Sequence, residues 1–382
     1  MDLAGYPDPV TQTVASSRPR AARTGARIEG VDVARGLAVL GMFVAHLGTG
    51  HHPAGDGWGS QWMWVVDGRS SALFAMLAGV GLAFITRSVV PGDAVAMRRA
   101  RVKIVVRSGI ILVLGWALML LGTPVAVILP TYAFLFVMAL PFLRLRPPAL
   151  LAVAAAVLVV GSPLVLGLRE SLTGTVEPTQ PTLVVGELLT GYYPALVWIA
   201  YLLVGLAVGR LGLGRLATQW WFVGAGAALA VVAYGLGVVL ADVTGADTTS
   251  WPGVLVSTEP HSSSMFEMAG NIGVAVAVLG LCLLATRGVV GAVALRPIAA
   301  TGAMSLTVYT IQIVAIAIVG SDAVWYPTSN GPLLVIGLGC IVFALVWQLT
   351  LGRGPLERLL KVAADAATRE RTPPVYPPGT RP

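Results

Sequence analysis

Charge is scarce in this chain. Of its 382 residues only 11% are Asp, Glu, Lys or Arg and 56% are hydrophobic, and the mean hydropathy is +0.81. That balance excludes an ordinary soluble domain, because too few polar side chains remain to cover a surface in water. Lysine is nearly missing: Lys103 and Lys361 are the only two, and arginine supplies almost all the positive charge. Cysteine is reduced to Cys282 and Cys340, each inside an apolar run. There a thiol behaves as a small buried hydrophobe, and a disulfide framework is excluded. No His or Cys spacing suits a metal site, so no metal is expected. Residues 1–27 hold no apolar stretch and no small-residue cleavage pattern. They are expected to form a disordered cytoplasmic tail rather than a signal peptide.

Long apolar runs take the place of what is missing. Ten of about 20 residues each are long enough to cross a hydrocarbon core of roughly 30 Å. They lie near 31–50, 68–86, 103–122, 125–143, 148–168, 191–210, 219–241, 267–286, 297–319 and 332–351. Backbone groups in lipid must be satisfied within their own segment, so the expected fold is all-α, a polytopic bundle of about ten transmembrane helices. Arginines gather at alternate loops: Arg18 to Arg27, Arg87 with Arg98 to Arg107, Arg144 and Arg146, Arg210 and Arg215, Arg287 and Arg296, then Arg353 to Lys361. The positive-inside rule puts these ends, and both termini, in the cytoplasm. The net charge of +7 is thereby explained by topology, and no nucleic-acid partner is expected. One membrane domain is read over 28–363, and 364–382 is read as a Pro-rich disordered tail.

The first run, "GVDVARGLAVLGMFVAHLGTGHH" (30–52), carries most of the chemistry. Residues eleven apart on a helix share a face, so Arg35 and His46 lie on one stripe roughly 16 Å apart along the axis. Asp32, three residues before Arg35, can pair with it; a snorkelling anchor with a neutralising partner would look the same. The loop after His46 adds His51, His52, Asp56 and Trp58, and Asp67 and Arg69 stand at the start of the next run. Titratable groups of several kinds at the mouth of two consecutive spans form a candidate site, and only histidine has an unperturbed pKa suited to proton exchange near neutrality.

"VDVARGLAVLGMFVAH", with Arg-x10-His, resembles the opening helix of the transmembrane acyltransferase superfamily, as seen in its acyltransferase-3 branch. "DGRSSALFAMLAGVGLAF", "TGYYPALVWIAYLLVGLAVGRL", "PHSSSMFEMAGNIGVAVAVLGL", "MSLTVYTIQ" and "GRGPLERLL" are more similar to the heparan-alpha-glucosaminide N-acetyltransferase branch and its bacterial relatives. The resemblance runs from about residue 27 to residue 360. It implies an acyltransferase that takes acetyl-CoA or another acyl-CoA from the cytoplasm and acylates an amine or hydroxyl on an extracytoplasmic glycan or glycolipid, in the plasma membrane. His46 would then be the general base or a transient acyl carrier, and Arg35 would steady the donor's phosphates or amides. The first branch places its catalytic histidine at the position of His46, and the second uses one in the loop that follows. His46 therefore leads, then His52, then His51.

Other candidates follow from their positions. The run holding Arg98, Arg99, Arg101 and Arg107 suits CoA phosphates, since guanidinium binds phosphate bidentately; it is also a plain topology signal. Asp67 and Arg69 match the family's acidic residue in that region and would orient the imidazole or form a helix-start ion pair. "STEPHSSSMFEMAGN" sets His261, Glu267 and Asn271 at an outer helix start, an acceptor site to which Tyr192, Tyr193 and Trp198 of the sixth run would add stacking surface, with Trp58 of the first loop a further substrate-side candidate; interfacial aromatics and a capped helix are the bland alternative. Ser305, Tyr309 and Gln312 form a polar stripe, either interhelical glue or tunnel lining. A transporter or flippase with a histidine proton relay is the rival function. A homodimer is compatible with either.

Overall fold

The computed structural model describes residues 28–49, 58–59, 61–179 and 183–369. Among these residues every regular element is helical: α1 (Glu29–Leu47), α2 (Arg69–Thr86), α3 (Ala94–Met119), α4 (Leu129–Met138), α5 (Pro147–Thr173), α6 (Ala195–Val208), α7 (Leu216–Thr244), α8 (Met265–Ala285), α9 (Arg296–Ala303), α10 (Ser305–Val319), α11 (Gly331–Thr350) and α12 (Pro355–Ala366). The first tail, 1–27, and the last residues, 370–382, lie outside the described part, and α12 runs three residues past the boundary expected at 363.

All ten apolar segments form helices, but they are not ten equal spans. Among the described residues seven helices are long and apolar enough to cross a membrane, and α9 with α10, counted as one span bent by 83°, would make an eighth. The segments at 125–143 and 191–210 yield α4, of 10 residues, and α6, of 14. At 1.5 Å per residue these are about 15 and 21 Å long, short of a roughly 30 Å core. Proline explains both. Pro130 sits in the first turn of α4, where a missing N–H costs nothing, and Pro141 turns the chain into a 3₁₀ stretch, Leu140–Arg144. Pro194 caps α6 and leaves the chain before it irregular. Within α5 a π-turn at Val157–Gly161 precedes Pro163 and absorbs its absent donor.

Helices in lipid gain little by trading acyl-chain contact for side-chain contact, so close association depends on small residues. The three most extensive pairings, α7 with α8, α2 with α6 and α1 with α9, all meet backbone to backbone at glycines. A Cβ on Gly79 would collide with the Leu202 carbonyl, and one on Gly205 with the Met76 carbonyl. Gly36 and Gly302 stand likewise against the carbonyls of Ile298 and Asp32. The inner helix α6 is buried along nearly its whole length, whereas α7 presents Val231, Val232, Val239 and Val243 outward, as a lipid-facing helix does.

The break at Met304 is held from below. The Glu357 carboxylate on α12 accepts the N–H groups of Leu306 (2.8 Å) and Thr307 (3.1 Å) and the Thr307 hydroxyl (2.7 Å), capping the start of α10. α12 is itself fastened across the arginine-rich end by Asp365, which accepts from Lys103 (2.8 Å) and Lys361 (2.7 Å).

Gly205→Leu should separate α2 from α6 and lower thermal stability in detergent by several degrees, in line with the 1–3 kcal/mol of an overpacked core. Gly235→Leu, on α7 where an added Cβ meets nothing within 4 Å, should leave the melting curve unchanged. Equal effects would refute the backbone-contact account.

Candidate active site

α1 is unbroken from Glu29 to Leu47, so Arg35 and His46 do share one rigid helix. At its arginine-rich end the Arg35 Nη1 lies 3.2 Å from Asp32 Oδ1, with Asp32 buried. Beside the pair opens a cavity of about 520 Å³ whose wall carries Arg35, Arg87, Arg107 and Arg353 together with Asp32 and Glu357. A second cavity of about 190 Å³ shares Arg35, Arg107, Gly81, Ile85 and Leu360 with the first and runs on between α2, α3 and α4. Its wall is apolar, with Phe74, Leu77, Ile111 and Phe136, and it reaches Leu129 and Tyr132 at the start of α4. Four guanidinium groups thus stand at the mouth of a greasy slot. Of the predicted phosphate-binding run, the structure brings Arg107 to this mouth. Arg98 and Arg99 are exposed and Arg101 points toward the Leu140 carbonyl at 3.5 Å; none of the three lines either cavity.

Above the slot a chain of polar groups leads to His46. The Ile128 N–H, next to Leu129, donates to the Tyr309 hydroxyl (3.2 Å). One turn further along α10, Gln312 places its Nε2 3.1 Å from His46 Nδ1. The cavity wall itself stops at Leu129 and Tyr132 and does not include His46. The far end of α1 is pinned by Asn330 Oδ1, which accepts from the Thr49 N–H (3.0 Å) and hydroxyl (3.3 Å). His51, His52 and Asp56 lie outside the described residues. One buried carboxylate here escaped the sequence reading: Glu187, on the π-turn Gly186–Thr190, accepts the Thr131 hydroxyl at 2.6 Å. A lone acid inside "TLVVGELLT" was the available signal.

The opposite end of the bundle gathers the remaining candidates into a separate network. Ser264 caps α8 by accepting the Glu267 N–H (3.0 Å). The buried Glu267 carboxylate in turn accepts from the N–H groups of His261 (3.0 Å) and Ser263 (2.9 Å) and from Asn271 Nδ2 (2.9 Å). Asn271 also takes the Tyr234 hydroxyl at 2.6 Å. Glu267 and Asn271 therefore spend most of their hydrogen-bonding capacity inside the protein, holding the 257–264 loop. Arg69 covers the Tyr234 ring at 5.0 Å and the Trp64 ring at 5.6 Å. His261 sits edge-on to Tyr192 (6.0 Å) and Tyr193 (5.4 Å), and an edge-to-face ladder continues through Trp198 to Tyr201. Trp58 stands out at 71% exposure, edge-on to Trp62. Asp67 faces this network through His261. Arg169 is fully buried and donates to the carbonyls of Val176 (2.9 Å), Gly191 (3.2 Å) and Leu189 (3.4 Å), tying down the chain after α5. Tyr201, Tyr234 and Arg169 were not legible as site residues, because nothing local marks an aromatic or arginine as facing inward. Among the described residues no three His, Cys, Asp or Glu side chains are placed to hold a metal ion.

Burial pushes the His261 imidazole down to about 4, against a smaller upward pull from Asp67. The unfolded chain, with an ordinary histidine near 6.5, binds the proton first, so this contribution to stability is intact above pH 6.5 and is lost as pH falls toward 4. The ceiling is about 3 kcal/mol, reduced because the residue as a whole is only half-buried. Wild type should lose more melting temperature between pH 7 and pH 5 than His261→Leu does; parallel losses would show that His261 is not the titrating group.

The family described as heparan-alpha-glucosaminide N-acetyltransferase, catalytic, matches residues 27–237, from α1 into α7, a stretch that holds His46 and most of both cavity walls. A second family, described as a protein of unknown function (DUF418), matches residues 208–366, from the end of α6 through α12. No curated protein and no solved structure matches the chain. The first match covers more than half of this multi-pass membrane protein, and the chain belongs to the heparan-alpha-glucosaminide N-acetyltransferase catalytic family of membrane acetyltransferases.

Proposed function

We propose that the protein transfers an acyl group, acetyl in the first instance, from acyl-CoA bound at the arginine-rich end to an amine or hydroxyl of a glycan or glycolipid at the opposite end, in the plasma membrane. The observation that carries this reading is the pair of cavities sharing Arg35 and Arg107. Guanidinium groups at the wide mouth suit the phosphates of CoA, and the narrow apolar slot suits the pantetheine arm with its thioester leading. The slot ends beside the Ile128, Tyr309, Gln312 series that leads to His46.

In this reading His46 removes the proton from the acceptor nitrogen or oxygen as that atom attacks the thioester carbonyl carbon. The C–S bond breaks, the new C–N or C–O bond forms, and the thiolate leaves as CoA thiol with the proton that His46 had taken. Arg35 contributes by position: its pairing with Asp32 holds the guanidinium at the boundary between mouth and slot. The network of Glu267, Asn271 and His261 shapes the acceptor side as a scaffold, with Tyr192, Trp58 and Arg69 offering surface to a sugar.

The break between α9 and α10 favours a second reading, since discontinuous helices are a device of transporters. Purified protein given labelled acetyl-CoA and candidate amino sugars separates the two. Release of CoA thiol with label on the sugar supports transfer; sugar or lipid movement across a vesicle wall without thiol release supports transport and sinks the enzyme reading. His46→Ala should lower turnover by about 10²- to 10⁴-fold, the usual worth of a general base. Arg107→Leu and Arg353→Leu should each raise KM for acyl-CoA about tenfold, the equivalent of one charge-assisted contact of roughly 1.4 kcal/mol, with kcat retained. Arg98→Gln and Arg99→Gln should leave KM within about twofold; a large rise there would move the phosphate site away from the cavity mouth.

A further inference from the structure

A fully buried glutamine against the proposed base calls for an explanation. Gln312 is 0% exposed and lies about two turns along from the break at Met304. A buried polar atom without a partner costs on the order of 1–3 kcal/mol, and Gln312 Oε1 has none among the described residues. Its Nε2, at 3.1 Å, meets His46 Nδ1. Both sides of that contact are fixed. α1 is wedged against α9 at Gly36 and Gly302, and its far end is held by Asn330. α10 is capped at its start by Glu357 and held at Tyr309 by the Ile128 N–H.

We propose that Gln312 is the positioning residue of His46: a neutral side chain that bonds Nδ1 in either tautomer and thereby commits Nε2 to the chemistry. The inference rests on the acyl-transfer reading of His46 and goes one step beyond it. A neutral imidazole with its hydrogen on Nε2 needs a donor at Nδ1, and the amide NH₂ is one. The tautomer with its hydrogen on Nδ1 is the one whose Nε2 can accept a proton from the nucleophile, and it needs an acceptor at Nδ1. The amide carbonyl supplies that acceptor after a half-turn about Cγ–Cδ, exchanging two atoms of nearly equal size, so the packing around α10 need not change. The Oε1 that now lacks a partner is the atom that gains one. A carboxylate in the same place would serve only Nδ1–H, and a lysine only the bare nitrogen, and each would bring a charge into the bundle where charge is expensive. The glutamine carbonyl serves Nδ1–H both before and after Nε2 takes the proton, its NH₂ serves the other neutral tautomer, and neither adds a charge.

Gln312→Met keeps the volume and removes the hydrogen bond. With ¹⁵N-histidine in the full chain in detergent, only four histidines give signals, and His46→Ala identifies those of His46. The expected result for Gln312→Met is a kcat about 10- to 100-fold lower, within the range of a mispositioned general base, with KM for acyl-CoA unchanged and the His46 ¹⁵N shifts moved toward a mixture of tautomers. Wild-type kcat, or unmoved His46 signals whatever happens to kcat, would overturn the part given to Gln312. Wild-type turnover in His46→Ala would instead overturn the base reading itself, so the two failures are told apart.

Discussion

Everything in this molecule that concerns chemistry depends on how closely α1 lies against α9. Two glycines, Gly36 and Gly302, let the two backbones touch, and in lipid there is no hydrophobic push to compensate for a looser fit. The contact fixes the rotation of α1 about its own axis. That rotation turns Asp32 and Arg35 toward the cavity mouth and, eleven residues on, turns His46 toward Gln312. Because α9 continues into α10 through the break at Met304, the helix that positions α1 is joined to the helix that supplies Gln312. One packing contact therefore sets both ends of the stripe.

The polar interior is economical. Arg169 and Glu267 are ionisable groups withdrawn from water and Glu357 stands in the cavity wall, and each is met by several backbone or side-chain partners rather than by a single counter-ion. This is how a membrane protein keeps irregular chain at depth: the groups of broken helices and loops are satisfied by protein, not by lipid. Glu357 and Arg169 do this at opposite ends of the bundle, one capping a helix start and the other collecting carbonyls.

The sequence was a good guide to what repeats and a poor one to what turns inward. Hydropathy marked the apolar helical segments, though not the amphipathic α12, and arginine placement separated the two ends, because both properties are averaged over many residues. The length of the fourth and sixth segments was misjudged, since a window of apolar residues does not register that Pro130, Pro141 and Pro194 cut the helix inside it. The Arg35 to His46 stripe followed from helix periodicity alone. Gln312 was visible as part of a polar stripe, but its partner is 266 positions away, and no local pattern links the two. The same holds for Arg353, which closes the cavity mouth from the far end of the chain, and for Glu187, a single letter in an apolar run. Arg98, Arg99 and Arg101 drew attention as a cluster, while the residue that reaches the cavity is Arg107, one face further along α3.

The two short helices carry one more consequence. α4 and α6 pack on each other and on α2 in the middle of the bundle, and α4 is only about 15 Å long, half the thickness of an ordinary hydrocarbon core. Non-helical chain adjoins both helices, mostly buried at Val125 to Ile128 before α4 and partly exposed, at Tyr192, between Gly191 and Pro194 before α6. At this spot the protein is in effect a thin wall. In the acyl-transfer reading proposed above, a group held at the end of the slot, by Leu129 and Tyr132, stands beside this short helix rather than behind a full-length span.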